Sequence, residues 1–477
     1  MKKRILILAA FFLGVVVLWT AGNMITQNDT TKELPQISNP DTIYLDSLTT
    51  IASAQDLMLN ISRTQESILG SNVFVESSVQ MLSYAGLGTE NMRASLNETL
   101  TIDQHNVTIT EYFSDGIGYV TVNDGQFCGE ISAEDYQKRF APAILMDASR
   151  YHSIVGYDTG TCYQIEFSKP QNAEQWAFEI NTAIENAKGT AFVSYDGQLL
   201  GSTYTLSYKR GQTRVRLTYN VDVEILSAEI NAPADTAQFR KIEYIDGPRM
   251  LERATGYLMQ ADNVSAKYTD SIYCEAFGDR REQEVSLYTA NIDDKWSALV
   301  QTKTNLTNDT KIGAESTLLK TETFTDGTYR SITGGSESTE NADITSKDMQ
   351  TYCKNLLIGT VMLPEDISGI RMEETEDRIR LVFSADESFA AKLSANICQM
   401  LYQEPDLLHS ISQSNTTNSL QGYLEFDRGT FFPTGSGINY DGTYNVEGMP
   451  YGVGFYAGQT YDIISKDSQD IIKKAGA

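Results

Sequence analysis

The chain has 477 residues, 41% of them hydrophobic, with 18 Phe and 26 Tyr. It is too long for one ordinary core and too apolar for global disorder, so two to three domains are expected. A formal net charge of −26 argues against nucleic acid and anionic lipid headgroups as partners, because a polyanion would be repelled by this surface.

Residues 1–25 read as a targeting segment. Met1–Arg4 is basic, Ile5–Trp19 is apolar, and no charged residue follows until Asp29. The uncharged stretch is long enough to cross a bilayer, so a signal peptide or an N-terminal membrane anchor is expected, with the rest of the chain exported. No Cys stands just after the apolar region, so a lipoprotein-type attachment is not expected.

A helix is expected to open the first unit, with Leu48, Ile51, Ala52, Met58 and Leu59 on its apolar face. Strands follow and meet at Asp115-Gly116, a dipeptide suited to a hairpin turn that needs positive φ. Ser132 and Asp135 are spaced as an N-cap and its partner, predicting a short helix. A further strand leads to a helix around Trp176, Ile180 and Ile184. The unit closes on a meander. In its clearest strand Val215, Leu217, Tyr219, Val221, Val223 and Ile225 point one way, and the polar residues between them point the other. Such alternation predicts an antiparallel sheet with one wet face.

The order then returns. Glu111, Phe113, Asp115 and Gly116 match Glu322, Phe324, Asp326 and Gly327 at an offset of 211. Ile131 matches Ile344 and Trp176–Ile184 matches Phe389–Ile397 at 213, and Phe167 matches Phe383 at 216. The segment from Phe192, with Tyr208 downstream, matches the segment from Tyr423, with Tyr440, at 231 to 232. A rising offset in unbroken order is what loop insertions make of a duplicated unit. Met250, Leu251, Ala254, Tyr257, Leu258 and Ala261 form the apolar face of the second opening helix, and Thr345 with Asp348 repeats the cap.

The expected division is a first unit at 41–231, a linker at 232–248, a second unit at 249–466 and a loose tail at 467–477. With no run of βαβ crossovers, the fold class is α+β. Each unit is expected to be a strongly curved antiparallel sheet, a half-barrel, wrapped around two or three helices.

This element order resembles the LolA/LppX-like lipoprotein-carrier superfamily. The resemblance is carried by the opening helix, Val73–Tyr84, Asn106–Phe127 and Thr190–Tyr208, and again by Leu318–Ile332 and Leu420–Phe432. It implies an open half-barrel whose concave side, plugged by helices, binds acyl chains or lipoproteins; some relatives are envelope-stress sensors. The chain departs from many members in lacking a lipobox Cys.

Five cysteines and no C-x-x-C argue against a disulfide framework; Cys128–Cys162 is the candidate bridge. His105, His152 and His409 lie far apart without ligand-type neighbours, so they read as solvated or capping residues and no metal is expected. No G-x-S-x-G, H-E-x-x-H, S-x-x-K or Walker motif is present, and no cofactor is expected. Thr434–Gly437 and the stretch from Gly334 read as loops.

Tyr204, Tyr208, Tyr219, Tyr440, Tyr444, Tyr451, Phe455 and Tyr456 crowd the closing strands. They either pack sheet against helix, line an apolar pocket, or stack on sugar rings on the wet face. The function expected is a non-enzymatic, exported cell-envelope protein binding a lipid, acyl chain or lipidated peptide between sheet and helices. The alternatives are an anchored scaffold or sensor that binds protein or cell-wall polymer, and a hydrolase with a carboxylate pair.

Overall fold

The computed structural model describes residues 34–476 apart from 70–71, 141–150, 171–183, 211–212, 227–229, 276–278, 309–315, 339–343, 386–388, 390–414 and the single positions 294, 429, 447, 464 and 466. Helix α1 (Pro40–Ser53) starts on a proline, whose missing N–H is harmless in a first turn. It stops where Ala54 turns extended (φ −70°, ψ 131°), so Met58 and Leu59 fall in a strand rather than on the helix.

The first half of the chain then forms β1 (Leu57–Leu69), β2 (Asn72–Ala85), β3 (Arg93–Ile102), β4 (His105–Ser114), β5 (Ile117–Val122) and β6 (Gly125–Glu130). Helix α2 (Ala133–Lys138) follows, and then β7 (Tyr151–Asp158), β8 (Tyr163–Pro170), β9 (Ile184–Val193), β10 (Leu199–Arg210), β11 (Thr213–Glu224) and β12 (Arg240–Lys241).

The second half opens with α3 (Gly247–Gln260), followed by β13 (Val264–Cys274), β14 (Asp279–Ile292), β15 (Lys295–Asn308), β16 (Ser316–Thr325), β17 (Thr328–Thr333) and β18 (Ser336–Ser338). After α4 (Ser346–Ile358) come β19 (Ile367–Glu374), β20 (Arg378–Ala385), β21 (Asn415–Asp427), β22 (Pro433–Val446), β23 (Met449–Asp462) and α5 (Ser468–Gly476).

The protein is mostly β, with few helices, and its strands form two large sheets, neither a closed barrel. The first runs β12-β6-β5-β4-β3-β2-β1-β11-β10-β9-β8-β7, and the second β18-β17-β16-β15-β14-β13-β23-β22-β21-β20-β19. All pairings are antiparallel except that of β12 on β6. Leaving β12 aside, the two orders are the same: the first long strand pairs with the last, and the others count outward on either side.

Equivalent positions can be read from the register. Arg63 and Asp270 each lie ten residues beyond the end of α1 and α3, and the strand pairings carry the match across each sheet. Glu111 and Phe113 then fall on Glu322 and Phe324, and Phe167 on Phe383, in agreement with the sequence offsets. Tyr440 falls on Leu206, not on Tyr208, because Leu206 faces Leu217 where Tyr440 faces Phe455. Both Asp-Gly pairs occupy two-residue turns with φ of 53° and 75° at Asp115 and Gly116, and 52° and 77° at Asp326 and Gly327. Positive φ at both positions is the turn that matches strand twist.

Other local expectations meet the fold as follows. Ser132 caps α2, and Thr345 with Asp348 makes a full capping box on α4. Thr434–Gly437 is strand, not loop: Pro433 opens β22, the strand position where a missing N–H does least harm. Gly334 and Gly335 make the turn of the β17–β18 hairpin. The linker contributes β12, and the tail forms α5, whose Ile472 is buried against Ala290 and Leu299. The helix expected around Trp176 lies outside the described residues, and Ile184 opens β9. Of Phe389, Leu393 and Ile397, only Phe389 is described. Cys128 and Cys162 are free thiols, so the candidate bridge does not form; the Cys128 Sγ instead lies 3.7 Å from the Phe239 carbonyl. The described residues hold no helix long and apolar enough to cross a membrane.

Helix α1 packs on β7, β9 and β10 of its own sheet. Helix α3 touches β19, β22 and α4 of the second sheet, and also β3 and β4 of the first. Gly256 permits this approach, because a Cβ there would lie 2.7 Å from the Ile102 Cβ. The inner face of the first sheet is therefore shared. One end joins α1 and α2 in a core with Leu59, Leu82, Phe113 and Tyr204, and the other joins α3 and the second sheet in a core with Leu100, Ile102, Val107 and Phe127.

Candidate functional site

In β1–β4 and β9–β11 alternate residues face the inner side of the first sheet; most are apolar and buried, and the polar ones include Gln65, Glu76, Glu98 and Glu111. From the helices, Tyr44 and Ile51 of α1 and Tyr136 of α2 enter this cluster, with Phe140 just beyond α2. Tyr44 stacks on Phe167 at 5.7 Å, Phe113 on Tyr136 at 4.8 Å, and Tyr204 on Tyr219 at 4.8 Å between ring centroids.

The Tyr136 side chain is fully buried, and among the described residues its hydroxyl has no hydrogen-bond partner. Burial, together with the nearby Glu111 carboxylate, pushes that phenol far above its ordinary pKa. It therefore stays a neutral O–H, available as a donor inside an apolar cluster.

Where the two cores meet, a charged belt crosses the inner face. Glu76, Glu98 and Glu111, on adjacent strands β2, β3 and β4, are 1%, 4% and 6% exposed. Arg63 Nη1 and Arg253 Nε each lie 2.8 Å from Glu76, and the Tyr257 hydroxyl donates to it at 3.0 Å. Arg249 Nη2 lies 2.7 Å from Glu98 and 2.8 Å from Glu111, while Arg139 grips Glu111 with two bonds of 2.7 and 2.9 Å and also bonds Asp246. At the edge of the belt, Glu252 of α3 meets His105 at 2.6 Å and accepts from Asn123 at 2.9 Å.

Burial alone would raise the Glu76 carboxyl, but Arg253 and Arg63 overcome it and hold its pKa at about 2. It is thus a fixed anion, unsuited to giving or taking a proton near neutrality. Among the described residues, no group of three or more His, Cys, Asp or Glu side chains could hold a metal.

The structure divides the aromatic residues of the closing strands. Tyr204, Tyr208 and Tyr219 belong to the core shared with α1 and α2. Tyr440 and Phe455 are buried in the other core, against which Tyr451 is half-buried. Tyr456 is 48% exposed on the outer face. Tyr444 pairs with Tyr451 in the ladder, and its side chain lies outside the described residues.

Sequence reasoning missed Tyr136 and the belt. The signal was present: Glu98 is in phase with Leu96 and Leu100, and Glu111 with Ile109 and Phe113, so each carboxylate occupies a core position of an alternating strand. A separate cleft of about 310 Å³ lies where β2, the end of α3 and α5 converge, lined mainly by Asn72, Gln260, Asp262, Asn263, Asn291 and Gln469.

No family model matches the chain, and no curated relative does. Solved structures do. LprF from Mycobacterium bovis is 11% identical, with 42% of this chain covering 100% of it at a TM-score of 0.26. The lipoprotein LppX from Mycobacterium tuberculosis is 10% identical, with 41% of this chain covering 100% of it at 0.24. A DUF1329 family protein from Desulfovibrio piger is 13% identical, covered to 96% by 41% of this chain at 0.17. The functional reading below rests on this chain's own geometry.

Proposed function

We propose that this protein is an exported, non-enzymatic carrier that holds an apolar ligand (a lipid, acyl chain or lipidated peptide) between the inner face of a sheet and its helices. In this reading each sheet curves as an open half-barrel. The units, 41–231 and 249–466, are two copies of one fold joined by 232–248, and their matching strand orders support the duplication. Export rests on the basic-then-apolar start of the chain.

The observation that carries the reading is Tyr136: a fully buried hydroxyl with no partner among the described residues is costly unless a ligand's ester, amide or carboxyl oxygen accepts from it. Tyr204, Tyr208 and Tyr219 would line the chain-binding part, with Tyr440, Tyr444, Tyr451 and Phe455 in the second unit.

The full chain, purified natively and extracted with organic solvent, is expected to release a stoichiometric acyl species detectable by mass spectrometry. Tyr136→Phe is expected to lower the retained amount about two- to tenfold. A folded protein that releases no such species would end this proposal.

One observation favours the alternative of a protein-binding scaffold or sensor. Val73, Val75, Val79 and Met81 form an apolar stripe on the outer side of β2, 38–51% exposed. Loss of a protein partner on Val79→Ser, with ligand content unchanged, would support that role.

A further inference from the structure

We propose that the outer face of the second sheet binds a neutral glycan chain, with Tyr273 and Tyr456 as stacking surfaces and Asn439 and Gln421 as ligands for its hydroxyls. This face lies opposite the apolar core, so the inference is independent of the carrier reading.

The rings lie low on the sheet because glycines leave the floor beneath them. A Cβ on Gly454 would sit 2.0 Å from the Tyr273 ring, and one on Gly458 would sit 2.9 Å from the Tyr456 hydroxyl. The ring of Tyr423 occupies the space over Gly437 in the same way, and its hydroxyl shares a hydrogen bond with that of Tyr456. Tyr456 remains 48% exposed and Tyr273 36%. Beside Tyr456 in the ladder stands Asn439, and beside Asn439 stands Gln421. Both are exposed, and among the described residues neither carboxamide has a partner.

The first sheet supplies an internal control. The same ladder positions hold Thr218 for Tyr456, Thr205 for Asn439, Glu66 for Tyr273 and Arg216 for Gly454. There the side chains satisfy one another: the Thr205 and Thr218 hydroxyls lie 3.5 Å apart, and Arg216 lies 3.7 Å from Glu66. The topology therefore needs neither the tyrosines nor the glycines. Aromatic rings can repair glycine gaps in a sheet, but a β-branched or charged pair does that work in the first sheet without exposing a ring.

The ligand class follows from the chemistry. The C–H face of a pyranose ring is apolar and slightly positive, and it stacks on the negative face of an aromatic ring. A carboxamide offers a donor and an acceptor to neighbouring hydroxyls. The charge of −26 disfavours a polyanionic glycan.

The test is calorimetric titration of the full chain with cellohexaose, maltohexaose and chitohexaose. One of the three is expected to bind, with Kd below about 1 mM. Tyr456→Thr and Tyr273→Thr should each weaken that binding about tenfold, Asn439→Ala should weaken it less, and Tyr456→Phe should retain it. Threonine is what the first sheet carries at the Tyr456 position, and circular dichroism would verify that these variants fold. Absence of binding by all three sugars overturns the proposal, and so does binding that persists in the Tyr273→Thr/Tyr456→Thr double variant.

Discussion

The two sheets share one strand order and differ in how they use the same interior positions. In the first, Arg63 of β1 meets Glu76 of β2 at 2.8 Å; in the second, the matching residues are Asp270 and Arg281, 3.2 Å apart, with the charges exchanged. Glu111 and Glu322 are likewise equivalent. Arg139 pairs with Glu111, and its counterpart on α4, Tyr352, reaches Glu322 at 3.4 Å, while Tyr329 donates to Glu322 at 2.7 Å. The fold thus asks for a satisfied polar pair at these points and is indifferent to which strand carries which sign. What sets the sign is the neighbour. Helix α3 brings Arg249 and Arg253 to the first sheet, so that sheet presents Glu76, Glu98 and Glu111. At the positions of Glu76 and Glu98 the second sheet carries Arg281 and Thr302.

The largest effect is expected from Arg253→Ala, which leaves Glu76 buried with one cation fewer. Breaking such a pair costs about 3–5 kcal/mol, measurable by denaturant unfolding. Because the folded pKa of Glu76 is held down at about 2, its contribution to stability is present above its unfolded value of about 4.5 and is lost as pH falls through about 2. The difference between wild type and Arg253→Ala should therefore shrink across that acid window, and a difference unchanged down to pH 2 would mean that Glu76 is not the partner that matters.

Exchanging the first-sheet pair to the second-sheet arrangement sharpens the comparison. Arg63→Asp alone and Glu76→Arg alone should each cost several kcal/mol, since each leaves like charges facing one another. The double exchange should recover only part, because Arg253 then faces the guanidinium that Glu76→Arg introduces. Adding Arg253→Glu should recover more, and a double-mutant cycle with no coupling would break the equivalence. The smallest effect is expected for Tyr352→Phe, which removes one of the hydroxyls on Glu322. A loss of about 0.5–1.5 kcal/mol in thermal or denaturant unfolding is expected, well below that of Arg253→Ala.

Much of the local structure was legible. The turns at Asp115-Gly116 and Asp326-Gly327, the caps at Ser132 and Thr345 and the alternation of β11 from Val215 to Val223 appear where nearest-neighbour chemistry places them, whereas Ile225 lies past the strand and is exposed. The site was less so. The closing-strand tyrosines were legible as a group, yet the sequence could not separate Tyr440, buried at 1%, from Tyr456 on the opposite face without the register. The apolar pattern that continues through Met58 and Leu59 suits either a helix or a strand, so the end of α1 is fixed only where Ala54 turns extended.

Sequence alone determined what depends on a few adjacent residues: positive φ at an Asp-Gly turn, a side-chain oxygen on a free helix N–H, and the two-residue period that gives a strand one wet face. The tertiary structure decided what depends on distant partners. That α3 serves both sheets rests on Gly256 meeting Ile102 and on Arg253 meeting Glu76, residues far apart in the chain. Such contacts leave no periodic trace in either segment, because burial turns a charge from a surface ornament into a constraint only once its partner has arrived.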